Sequence, residues 1–148
     1  MTIKQKVQIL EEACSNHLAV NTFKHGTIDK LDQNEVQYPY VFLRPVTSRG
    51  VTLQNGRAVD MRHTFEMFVL DLPKVDDQDY LESMELTESI ALDLFGYVNY
   101  GEYGNDVYLQ PGNFVPVNEA FADRVVGYVV NVEMVSVADQ NLCDYPQL

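Results

Sequence analysis

Three histidines, two cysteines, a run of aspartates and a group of arginines are the residues of this chain with chemistry to offer. His17, His25 and His63 stand too far apart in sequence for a local metal-ligand spacing, and no HxxxH, CxxC or HxE pattern is present. Asp71, Asp76, Asp77 and Asp79 crowd one short stretch and invite comparison with a hard-cation site. They lack the EF-hand order, and capping together with the dipole at a helix start accounts for such a cluster, so neither metal nor cofactor is expected. Cys14 falls on the apolar face of a helical pattern and reads as a buried small hydrophobe. Cys143 stands alone at the far end, which leaves no disulfide framework. No GxSxG motif, Gly-rich phosphate loop or Cys–His arrangement can be read, and the chain is not expected to be an enzyme. Arg44, Arg49, Arg57 and Arg62 remain; they are read either as solvated loop charge or as a basic arm for an acidic neighbour or DNA phosphates.

The elements that must carry these residues follow from periodicity. Thr2 with Gln5 reads as a capping box, and Ile3, Val7, Leu10, Cys14 and Leu18 mark one helical stripe. This predicts a helix from Ile3 to about Asn21, closed by Lys24-His25-Gly26, with Lys4, Lys6, Gln8, Glu11 and Glu12 mostly off the stripe. Thr27 to Gln37 reads as a connection. Tyr38–Val46 reads as a strand with prolines near its ends. Thr47–Arg57, with Gly50 and Asn55-Gly56, reads as the connection of a long hairpin. The strand it leads into, about 58–72, is the centre of the pattern. Met61, His63, Phe65, Met67 and Val69 lie on one face, and Phe68, Leu70 and Leu72 on the other.

A helix over about 77–98 follows, with Tyr80/Leu81, Met84, Ala91, Leu94/Phe95 and Val98 at helical spacing. The Tyr- and Gly-rich stretch 97–105 is expected either to offer a contact surface or to cover the helix end. Val107–Leu109 reads as a short strand, Pro111-Gly112 as a turn and Phe114–Val117 as an edge segment. Arg124–Val137 is the second strong strand. The expected fold class is α/β (α+β): an antiparallel or mixed sheet of about 38–46, 58–72 and 124–137 with a long hairpin and two main helices packed on it. Phe65, Met67, Val69, Leu81, Met84, Ala91, Phe95, Val126 and Val130 are expected inside.

At 148 residues the chain reads as a single domain 1–148, with a core of 1–137 and a tail of 138–148. No apolar run is long enough to span a bilayer, Met1-Thr2-Ile3-Lys4 reads as a helix start rather than a signal peptide, and no membrane partner is expected. The net charge of −12 is unevenly placed. Residues 1–62 hold eight Lys/Arg against six Asp/Glu, whereas residues 63–148 hold two against sixteen. The acidic half argues against a general nucleic-acid binder. It also provides unlike surfaces, should copies meet head to side, between the hairpin arginines and the carboxylates around Asp76, Asp77 and Asp79.

The order of elements resembles the tail terminator and head–tail joining (neck ring) proteins of tailed bacteriophages. The resemblance covers nearly the whole chain: the Ile3–Leu18 helix, the Tyr38–Val46 and Phe65–Leu72 strands, the acidic-capped Tyr80–Val98 helix and the late Val125–Val137 strand. Segments such as Tyr40-Val41-Phe42-Leu43 and Phe65-Glu66-Met67-Phe68-Val69 carry it. It implies a non-catalytic virion protein, made in the host cytoplasm, that forms a ring of six or twelve copies in the neck or at the end of the tail tube. Its neighbours would be portal, adaptor or tail proteins, with DNA passing through the lumen without specific binding. Residues 97–105 and 138–148 lie outside the minimal pattern. The competing readings are a soluble small-ligand-binding or regulatory α+β module and an enzyme with a dispersed site.

Overall fold

A computed structural model describes residues 1–27, 36–73, 77–118 and 125–138. Its elements in chain order are α1 (Ile3–Asn16), β1 (Thr22–His25), β2 (Tyr40–Leu43), β3 (Ser48–Gln54), β4 (Arg57–Asp71), α2 (Asp77–Tyr100), β5 (Val107–Asn118) and β6 (Val126–Val137). The fold is α+β, with a six-stranded sheet ordered β1-β2-β4-β6-β5 and β3 paired to β4 beside that path. All pairings are antiparallel except β1 with β2. Among the described residues no helix is long and apolar enough to cross a membrane.

The capping box forms as read: Gln5 N–H donates to Thr2 Oγ1 at 3.1 Å and Thr2 N–H to Gln5 Oε1 at 2.8 Å. The helix is shorter than its apolar spacing predicts. It stops at Asn16, where His17 turns extended (φ −85°, ψ 126°). The His17 ring accepts from Ala19 N–H and meets Asp93 of α2 at 2.9 Å. Leu18, placed on the stripe by spacing, is fully exposed. The segment expected to close the helix is instead β1, in parallel register with β2 from Thr22↔Tyr40 to His25↔Leu43.

β4 is the organising strand. It pairs with β6 over twelve residues, from Asp60↔Val137 to Asp71↔Val126. Its opposite edge is shared: β2 takes Met67–Leu70, and β3 takes Arg57–Thr64. The stretch read as a hairpin connection is therefore itself a strand, and the turn proper is only Asn55-Gly56. Their positive φ values of 54° and 77° suit a two-residue hairpin turn that Asn and Gly adopt at least cost. Leu72, expected on the second buried face, is substantially exposed just past the strand end.

The three pieces expected over 107–117 are one edge strand, β5, whose register shifts between Pro111 and Phe114. Both prolines sit where a missing donor costs little. At the β4–β6 seam a Cβ on Gly127 (φ 157°) would lie 1.9 Å from the Val69 carbonyl oxygen, so only glycine permits this approach.

Both helices pack on one face, where Phe65, Met67 and Val69 of β4 meet Leu10 and Cys14 of α1, and Ile90, Leu94 and Val98 of α2. The buried stripe of α2 runs through Ser83, Thr87, Ile90, Ala91, Leu94, Phe95 and Val98. Leu81, expected inside, is 61% exposed, and Met84 is half-buried. The polar Ser83 and Thr87 take the inward positions because their hydroxyls are satisfied locally, by Asp71 at 2.7 Å and the Ser83 carbonyl at 2.9 Å. On the other sheet face Tyr40, Phe42, Phe68, Leu70, Val117 and Val125 form a second cluster. The tyrosines after α2 tie the helices together: Tyr97 Oη accepts from Asn16, and Tyr103 Oη donates to Glu12.

Candidate functional site

The polar half of β4 lies beside the start of α1, and there the molecule buries an amine. Lys6 is on α1, and its side chain runs under the sheet with no exposed surface. Its three donors meet three acceptors: Met61 O at 3.1 Å, Met134 O at 2.9 Å and His63 Nδ1 at 2.8 Å. An ammonium has three N–H groups and no lone pair, so this count assigns His63 Nδ1 as acceptor and places the ring proton on Nε2. Burial pulls Lys6 down to about 8, which still leaves it charged at neutral pH. Burial lowers His63 as well, aided by the charges of Lys6 and Arg49, so its ring is neutral there.

A cleft of about 770 Å³ opens over this pair. It is lined by His63 and Met61 of β4, Arg49 of β3, the first residues of α1, Ala58 and Ala138. Arg49 and His63 are direct cross-strand partners on one face. Among the described residues no acidic side chain lines this cleft.

The four hairpin arginines do not converge. Arg49 faces the cleft. Arg62 stands opposite Gly50 on the other sheet face, with its guanidinium against that glycine. Arg44 is engaged by its own chain, 2.5 Å from Glu66, and its buried Nε has no partner among the described residues. Arg57 is exposed beside the hairpin turn, opposite Gln54. The acidic stretch is similarly dispersed. Asp76 lies outside the described residues, as does the Asp77 side chain at the first position of α2. Asp71 holds Ser83, and Asp79 lines a shallow depression of about 240 Å³ with Asp71 and Glu82. Among the described residues no three His, Cys, Asp or Glu side chains group as for a metal ion. Burial next to Glu11 raises the Cys14 thiol to about 12, which makes it an unreactive core residue, and Cys143 lies outside the described residues.

Sequence reasoning missed Lys6 altogether. Of the three edge strands β1, β3 and β5, the two longer ones, β3 and β5, form the other feature of note. Among the described residues β3 pairs with β4 alone, leaving an open edge on which Val51 is 47% and Leu53 64% exposed. The outer edge of β5 is occupied differently: Asn99 of α2 donates to Leu109 O at 2.9 Å and accepts from Leu109 N–H at 2.7 Å, as a neighbouring strand would. No model of a known protein family matches the chain, and no curated protein is similar to it in sequence.

Proposed function

We propose that the chain is a structural subunit of a tailed-bacteriophage particle, closing into a homo-oligomeric ring in the head–tail connector or at the end of the tail tube. The observation that carries this reading is the inequality of the two flanks. Among the described residues β3 is paired on one side only and exposes Val51 and Leu53, while Asn99 occupies the outer edge of β5 at Leu109. Rings need two different complementary surfaces on one subunit, because a head-to-tail contact is heterologous. The uneven charge supports the same geometry, with Arg57 at the hairpin turn and exposed Glu82, Glu85 and Glu88 on α2. No catalytic step is assigned to the chain, and DNA would pass through the lumen unread.

Native mass measurement over a range of concentrations tests the proposal, alone and with tail-tube or portal proteins. A closed oligomer is expected, and Val51→Lys with Leu53→Lys should disperse it while leaving the subunit folded. Charge reversal at Arg57 should slow assembly most at low salt, since exposed charges are screened beyond about 8–10 Å at ordinary ionic strength. A chain that stays monomeric in every mixture would sink the reading.

A further inference from the structure

The cleft at the start of α1 has the composition of a ligand site and is independent of the ring reading. Its volume of about 770 Å³ falls within the range of roughly 300–1,000 Å³ typical of small-molecule pockets. Ile3, Ala58, Met61 and Ala138 give it apolar walls. Arg49 and His63, cross-strand partners, stand side by side in the lining, which also includes Lys4. Arg49 brings a guanidinium fork, and His63, only 2% exposed, lines the cleft with an Nε2–H for which no partner exists among the described residues. Behind His63 sits the Lys6 ammonium, held by two carbonyls and the ring and paired with no carboxylate among the described residues. At the start of α1 the capping box already takes up the Thr2 and Gln5 N–H groups.

We infer that this cleft binds a small amphipathic carboxylate, its two oxygens taken by the Arg49 guanidinium and His63 Nε2–H and its aliphatic chain laid along Met61, Ala58 and Ile3. A planar carboxylate suits the Arg49 fork and the His63 N–H, and Lys4, which also lines the cleft, adds a further positive charge. The buried ammonium makes the ring a better donor without itself touching the ligand, since Lys6 holds Nδ1 and thereby fixes the tautomer.

The test uses the full chain with isotope-labelled histidine, in whatever oligomer it forms, and octanoate as probe. Saturable movement of the His63 ring resonances is expected, with His63 titrating at higher pH once the carboxylate is bound. Arg49→Gln should weaken octanoate by about tenfold or more, as loss of a hydrogen bond to a charged group does, and Arg49→Lys should recover part of it. Arg49 is exposed, so unchanged His63 signals in the free variant will show that the fold is intact. 1-Octanol, with the same chain length and no charge, should give no saturable shift, and acetate only a weak one. The proposal is overturned if His63 does not respond to octanoate at concentrations about tenfold above millimolar. It is equally overturned if octanol matches octanoate, or if Arg49→Gln binds as the wild type does. A monomeric chain that binds octanoate would defeat the ring alone, and a ring that ignores it would defeat this inference alone.

Discussion

β3 and β5 are both outer strands of one sheet, yet they treat their exposed backbone in opposite ways. β5 carries Pro111 and Pro116, a register shift between Pro111 and Phe114, and the Asn99 amide bonded on both sides of Leu109. Each of these devices prevents another chain from adding to a sheet. β3, Ser48-Arg49-Gly50-Val51-Thr52-Leu53-Gln54, has no proline and no lysine and exposes Val51 and Leu53. Its own register shift lies between Thr52 and Leu53, near the turn. The difference teaches that, among the described residues, one sheet protects its two long edge strands unequally: β5 by three devices, β3 by neither proline nor a bonded side-chain amide.

Four perturbations would break or sharpen that contrast. The largest effect is expected at the seam that carries both margins. Gly127→Ala drives a methyl into the Val69 carbonyl and should cost about 3 kcal/mol or more in urea unfolding. Next, Asn99→Ala removes both bonds to Leu109 and should cost about 2 kcal/mol, leaving β5 open as β3 is. If this variant unfolds at the wild-type urea midpoint, the amide is not guarding the edge.

A third test separates the polar half of β4 from the sheet's apolar half by pH. Lys6 is lowered from 10.5 to about 8 in the folded chain, so between these values the unfolded chain binds more protons than the folded one. Stability should therefore rise with pH from about 8 upward, and the rise should vanish in Lys6→Met; equal slopes in the two proteins would refute the assignment. His63 acts in the same direction at lower pH. Its folded value lies below 6.5, and stability should fall as acid forces the buried ring to charge. The smallest effect is Leu53→Lys, a surface change expected to alter subunit stability by less than about 0.5 kcal/mol. Its effect should appear instead in the mass of the assembly.

What could be read from the sequence follows how strongly burial marks a segment. β4 and β6 were legible because apolar residues crowd both faces near Phe65–Leu70 and alternate along Val126–Met134. α2 was legible in extent but rotated in reading, since Leu81 is outside while Ser83 and Thr87 are inside with their hydroxyls satisfied. β3 was hidden because an exposed edge strand needs no apolar alternation, and its Gly50 reads as a turn. Lys6 was hidden for a different reason. Lysine on a helix reads as solvated, and its burial depends on carbonyls of Met61 and Met134, distant in sequence. Cysteine at 14 and the capping box at Thr2, whose reasons are local, were read as they stand.

The three-acceptor cage around Lys6 also makes that amine a chemical clock. A lysine lowered to about 8 is intrinsically more nucleophilic near neutral pH than its surface counterparts, because more of it carries a free lone pair. In the folded chain that lone pair has no access to reagent, since no part of the side chain is exposed. Acylation of Lys6 therefore requires α1 to lift from the sheet, whereas Lys4, two residues away and exposed, is modified without any opening. The ratio of label at the two positions, read by mass spectrometry after a brief pulse, reports how often the first helix detaches.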